Sequence, residues 1–178
     1  MVVLESERMS FRPHEMTDFE AFAAMEADAE VRRYVGGAPR TREAAEMKFQ
    51  SALEPALDRM KMWATVLKAN KQYIGRCGVY PHFQGDGAIA GEGVLGFYLA
   101  RPYWGQGLAS EAGLAFVKFG FDELGLNRIV SAVEVGNAAS VRVLEKLGFS
   151  LVWREEGVRS FDHFELIKPG EHVTENQR

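Results

Sequence analysis

The chain has little from which a covalent or metal-held scaffold could be made. Its 178 residues include one cysteine, Cys77, so no intrachain disulfide can form. Its four histidines, His14, His82, His163 and His172, stand apart without metal-ligand spacing, and no metal is expected. No apolar run approaches the length that crosses a bilayer, and no apolar signal segment follows Met1, so the expected setting is cytoplasmic and away from membranes. A basic surplus is also missing. With 21 Lys and Arg against 25 Asp and Glu, the net charge of −4 leaves no footprint for nucleic acid. What remains is a single domain, residues 1–178, with 47% hydrophobic and 26% charged residues, as in ordinary globular chains. It has no linker, repeat or low-complexity segment, and a polar tail over 170–178 that is expected to fray. A homodimer is allowed without being required.

The stretch Gly96 to Glu111 organises the rest. Val94, Leu95, Phe97, Tyr98 and Leu99 read as a buried strand, which Arg101-Pro102 ends because proline removes a ladder donor. Trp104-Gly105-Gln106-Gly107-Leu108-Ala109 then turns into an amphipathic helix reaching about Leu124. Strand, glycine turn and helix aim backbone N–H groups and the positive end of a helix dipole at one spot, which suits a phosphate. The dinucleotide form of such a loop needs glycine where Ser110 stands and an acidic residue near Asn127–Ile129. The nucleotide-triphosphate form needs a Gly-Lys-Ser/Thr that does not follow. A shorter phosphate loop, with Gly107 and Ala109 at its small positions, is left; a tight turn without a ligand is the alternative.

Alternation and turn chemistry predict strands over 8–12, 62–67, 73–80, 89–99, 128–135, 150–155 and 161–167. Helices are expected from a Thr17/Asp18 cap, from Thr41 to about Arg59 with a kink or break at Pro55, over the stretch after Gly107 closed by Gly125, and from Asn137. Gly148 stands where that last helix wants a left-handed residue, with Phe149 placed to pack on Leu144. The fold expected is α/β: a mixed, mostly antiparallel sheet of six to seven strands, helices on both faces, and a crossover at its centre.

Three blocks in order resemble the RimJ/RimL-type branch of the GNAT N-acetyltransferase superfamily: the opening strand Leu4–Pro13, the loop Tyr103–Ala112, and Asn137-x-x-Ser140-x-x-Val-Leu144-Glu-Lys146-Leu-Gly148-Phe149. The resemblance implies acetyl-CoA as co-substrate, no metal, and direct acetyl transfer to a primary amine, either a protein N-terminus or a small molecule. It implies cofactor contacts at Phe97, Tyr98 and Leu99 on the strand edge, at Trp104, Gly105, Gln106, Gly107, Leu108 and Ala109 in the loop, and at Asn137, Ser140 and Lys146. Arg142 is a further candidate for the nucleotide phosphates. Asn137 is equally an N-cap, and Ser140 either a hydrogen-bond donor to sulfur or a plain helix serine.

Many relatives carry tyrosine at Leu144 and glutamate at Val94. Glu92, on the same strand face as Val94, is the first candidate for the general base, with a pKa expected to rise against Val94, Phe97 and Trp104. Asp162, His163 or water are the other options. The two missing residues keep a non-catalytic acyl-CoA-binding module open as an alternative. The negative net charge favours a cationic acceptor.

Overall fold

The computed structural model describes residues 3–55 and 59–170. The expected frayed tail falls outside them, except Gly170. One eight-stranded sheet runs in the order β1-β2-β3-β4-β5-β6-β8-β7. Its strands are β1 Leu4–Glu5, β2 Met9–Arg12, β3 Trp63–Leu67, β4 Tyr73–Gln84, β5 Gly87–Leu99, β6 Arg128–Glu134, β7 Ser150–Glu155 and β8 Phe161–Ile167. Neighbours are antiparallel except β5 and β6, which are parallel. Seven strands become eight because Leu4–Glu5 folds back on Ser10–Phe11 as a short extra edge.

Among the described residues, five α-helices accompany the sheet: α1 Phe19–Ala27, α2 Ala29–Arg32, α3 Arg42–Leu53, α4 Leu108–Asp122 and α5 Ala138–Lys146. Side chains alternate across a strand, and the sheet sorts them into two apolar layers. Phe11, Trp63, Ile74, Cys77, Leu95, Leu99 and Ile129 pack with Phe116 and Phe119 of α4. Ala64 and Tyr73, next in sequence to Trp63 and Ile74, instead meet Phe22 of α1 and Phe49 of α3. Burying an aromatic such as Phe116 completely contributes about 2–3 kcal/mol, so these stripes hold the helices to the two faces.

Local chemistry sets most boundaries. Thr41 caps α3, its Oγ1 accepting from the Ala44 N–H at 3.3 Å, and the helix stops at Leu53 rather than kinking, since the residue before Pro55 is pushed out of helical geometry. Residues 56–58 of the longer helix expected there are not among those described. Neither Thr17 nor Asp18 caps α1. Met16–Asp18 form a 3-10 turn, and the Asp18 carboxylate grips both Arg12 Nη atoms at 2.7 Å and accepts from the Glu15 N–H. The gap left between the strands expected at 73–80 and 89–99 is strand except for residues 85–86, because Gln84 pairs directly with Gly87 across that two-residue turn. Gly125 has a left-handed φ of +68°, just beyond α4. At the end of α5, Gly148 takes φ +89°, its N–H reaches Glu145 O, and the Phe149 N–H reaches Leu144 O. That pair of bonds closes the helix and seats Phe149 on the buried Leu144, as the sequence predicted.

Candidate active site

The strands β5 and β6 stay together only from Glu92↔Arg128 to Val94↔Val130. Beyond that they separate, and the Ser131 hydroxyl bridges to the Leu95 carbonyl at 3.1 Å. Backbone groups of alternate residues face the same flank of a strand. The carbonyls of Leu95 and Leu99 both point to the β6 side, where Leu99 O accepts the Trp104 indole N–H at 2.7 Å. Tyr98 O points the other way, toward Gly75 of β4. Phe97 therefore turns its N–H and C=O into the opening between β5 and β6. Of the three strand-edge residues expected to serve there, Phe97 offers free backbone, Leu99 has spent its carbonyl on Trp104, and Tyr98 contributes its side chain.

A cleft of about 360 Å³ runs from this opening to the start of α4. Phe97, Tyr98, Leu99, Trp104, Gly105, Gly107, Leu108, Ala109, Asn137, Ser140 and Lys146 all line it, as does Arg142. Glycine is required at 107 because the turn into α4 takes φ +77°, and the helix has no side-chain cap there. Glu111 N–H reaches back to Gly107 O, so the N–H groups of Leu108, Ala109 and Ser110 precede the first intrahelical bond and have no helical acceptor. With Arg142 and Lys146 facing the same space, these donors fit a diphosphate. Gln106, expected in the same set, is not among the lining residues. Its side-chain amide donates to Pro102 O at 2.8 Å and its carbonyl accepts from Arg8 at 3.0 Å, bracing the loop from behind. Arg8 also holds Glu111 at 2.6 Å, fastening β2 to the first turn of α4.

Asn137 does what its position predicted as a cap. Its Oδ1 accepts from the Ser140 N–H at 3.2 Å, which leaves the amide nitrogen without a protein acceptor among the described residues. Ser140 lies on the cleft wall and its hydroxyl makes no hydrogen bond to the described protein. Leu144 is fully buried in the core beneath. Asn137→Ala is expected to cost about 1 kcal/mol of stability through the lost cap. If the free amide also meets the cofactor, acetyl-CoA affinity falls about fivefold by calorimetry; a stability loss alone leaves it a cap.

Glu92 lies in surroundings other than the apolar walls expected for it. It borders neither this cleft nor the one described next, and its neighbours are charged rather than apolar. His82 Nδ1 lies 2.7 Å from one carboxylate oxygen and Arg128 Nη1 2.9 Å from the other. Burial pushes its pKa up, but the His82 and Arg128 hydrogen bonds outweigh this and hold it below the ordinary carboxylate value. Five residues of strand, roughly 16 Å, separate it from Phe97. The other base candidates are engaged elsewhere: Asp162 pairs with Arg154 at 2.6 Å, and His163 stacks on Trp153 at 3.9 Å beside Glu155. Neither lines this cleft or the one described next.

Sequence reasoning missed the contribution of α2 and the turn after it. Glu30, Val31, Tyr34 and Val35 form the far wall of the cofactor-sized cleft. A second cleft of about 460 Å³ lies on the α1/α3 face, lined by His14, Arg32, Arg76, Tyr80 and Tyr98 among others. The two share Val35 and Tyr98, and so meet at the Tyr98 side chain. Burial raises the Tyr98 pKa, which keeps its phenol protonated. The only signal for this region was the Gly36-Gly37 break, which announces a turn and nothing about what it faces.

The acetyltransferase (GNAT) domain family matches residues 8–150. The chain is 32% identical over 154 residues to an uncharacterized N-acetyltransferase, p20, of Bacillus licheniformis, a match covering 84% of this chain and 83% of that one. Among solved structures, a GNAT-family acetyltransferase from Bacillus anthracis shares the fold with a TM-score of 0.81 over 94% of this chain and 98% of that one, at 23% identity. A spermidine N-acetyltransferase from Vibrio cholerae, solved with CoA and spermine, does so at 0.73 over 90% and 95%, at 15% identity.

Proposed function

The chain belongs to the GNAT acetyltransferase family, and from that premise we propose that it moves the acetyl group of acetyl-CoA onto a primary amine by direct attack, with both substrates bound together. An N–C bond forms between the amine and the acetyl carbon as the C–S bond breaks; the amine loses one proton and the departing thiolate gains one. The observation that carries this reading is the junction. A cleft fitted to a diphosphate and a second cleft meet only at Val35 and Tyr98, beside the open strand edge.

In this reading the N–H groups of Leu108, Ala109 and Ser110, with Arg142 and Lys146, hold the phosphates at the positive end of α4. The Phe97 N–H is a fixed donor in the opening, placed for negative charge that develops on an acyl oxygen, and it needs no reorganisation to act. Tyr98, kept protonated by burial, is a second donor at the meeting point, and the Ser140 hydroxyl is free to face sulfur. Glu30 is the single carboxylate on either lining among the described residues, so the amine's proton leaves to it or to water. Glu92 becomes a positioning residue that ties β5 to β6 at the closed end of the opening. Serine at 140 with leucine at 144 supports the RimJ/RimL-type branch, and a cytoplasmic setting supplies the acetyl donor. A neighbour of the same fold holding CoA with a polyamine supports a paired cofactor and amine.

The test is thiol release from acetyl-CoA on adding amines, followed by mass spectrometry of the products. An amine that gains one acetyl group in step with thiol release is expected. Tight acetyl-CoA binding with no release against any amine would sink the reading.

A further inference from the structure

We propose that the second cleft takes a small amine that also carries an anionic group, a carboxylate or a phosphate, which the cleft's cations hold while the amine reaches Tyr98. The inference rests on the transferase reading above and adds the class of acceptor.

Five cations line this cleft, Arg32, Arg40, Lys48, Lys61 and Arg76, and no Asp or Glu does. Beneath them lies one carboxylate, Glu26, only 2% exposed. Its two oxygens serve three guanidiniums: Arg76 at 2.6 Å, Arg40 at 2.8 Å and Arg32 at 3.2 Å. Buried cations are ordinarily matched by counter-charge. Among the described residues, two of the three arginine charges are left over, and neither lysine is offset by a carboxylate contact. Lys61 Nζ spends its donors on the backbone carbonyls of Ala52 and Glu54.

Arg32 makes the case sharper. It is 4% exposed, and burial draws its pKa below the ordinary guanidinium value although Glu26 pushes the other way. The chain keeps Gly36 against it: a Cβ at that position would stand 2.4 Å from Arg32 Nη2. Gly36 also takes φ +82°, which by itself favours glycine, so the guanidinium packs directly on the turn. His14, also on the lining and 5% exposed, has no hydrogen-bond partner at either ring nitrogen. Arg76 lies over the Tyr98 ring at 5.0 Å, so the cationic floor leads directly to the junction with the other cleft. A volume of about 460 Å³ suits a small molecule. The net charge of −4 pointed to a cationic acceptor; the local field of this cleft has the opposite sign.

The experiment compares matched acceptors in the thiol-release assay: aspartate against its diamide, O-phosphoethanolamine against ethanolamine, and spermidine. At least one acidic amine is expected to exceed its neutral partner in kcat/KM by about tenfold or more, with that advantage shrinking as salt rises. The faster acidic amine names the anion. Lys48, exposed on α3, is replaced in Lys48→Met without disturbing the core. This variant should raise KM for acidic amines about fivefold while sparing KM for the neutral partners and acetyl-CoA affinity. Neutral amines or spermidine matching or outpacing the acidic ones would overturn the inference and leave acetyl transfer standing. If no amine releases thiol, calorimetry with aspartate and O-phosphoethanolamine decides it separately: binding that weakens in Lys48→Met supports the anion site, and no binding of either removes it.

Discussion

Gly107→Val abolishes acetyl-CoA binding while the protein stays folded. The residue at 107 must take φ +77° for the chain to enter α4. A β-branched side chain there costs about 1–3 kcal/mol of backbone strain. Within the protein the new Cβ meets only Arg8 Nη2, at 3.6 Å, an ordinary contact. The substitution therefore acts through the backbone: relieving the strain at 107 moves the helix N–H groups that would receive phosphate. Affinity by calorimetry should drop by about a hundredfold or more, because several charge-assisted hydrogen bonds are lost together. Gly85→Val is the control. It also carries a positive φ, +61°, has nothing within 4 Å of its Cβ, and sits at the β4–β5 turn far along the sheet. It should lose similar stability and no affinity. Equal affinity in both variants would take the phosphates away from this loop.

Stability falls as pH drops from 6.5 toward 4, and His14 is the cause. Its ring sits among Phe22, Phe49 and Tyr73, with centroids 6.2, 5.9 and 5.9 Å away, and neither nitrogen is hydrogen bonded. Burial lowers its pKa from 6.5 to about 4, against the pull of Asp18 in the other direction. Between those values the unfolded chain binds the proton and the folded chain does not, so protons favour unfolding. The full effect is about 3 kcal/mol, most of it lost before ordinary carboxylates titrate. The depressed carboxylate Glu92 acts in a separate window. Its contribution is present above about pH 4.5 and disappears as pH falls through its lower folded value. Urea unfolding at a series of pH values gives the slope. His14→Leu should flatten it between 6.5 and 4.5; an unchanged slope would assign it to other groups.

What the sequence disclosed and what it hid divide along contact range. Gly107 at a helix entrance and Gly148-Phe149 at a helix exit act on residues within one turn of themselves, so their roles follow from spacing. Pro55 is equally local, and it does end α3. The environment of Glu92 was misread because strand parity tells which face a residue shares, not what the next strand brings. Arg128 lies 36 positions on, and the β5–β6 register alone sets it opposite Glu92. The cationic cleft was hidden for the same reason: Arg32, Lys48 and Arg76 come from α2, α3 and β4, and a net charge averages over all of them. The buried Glu26 under three guanidiniums has no linear signature at all.

The junction at Tyr98 also bears on how such a protein can change over generations. Apart from Val35 and Tyr98, no residue lines both clefts. Substitutions on α3, at Lys48 or Ser51, alter one wall of the second cleft and leave the first untouched. Changes at Arg142 or Lys146 do the reverse. If the clefts are used as proposed, selection can rewrite acceptor preference without risking the donor site, and recombination that exchanges α3 between relatives would transfer that preference as a heritable unit. Val35 and Tyr98 answer to both demands, and they are the positions where drift is most tightly constrained.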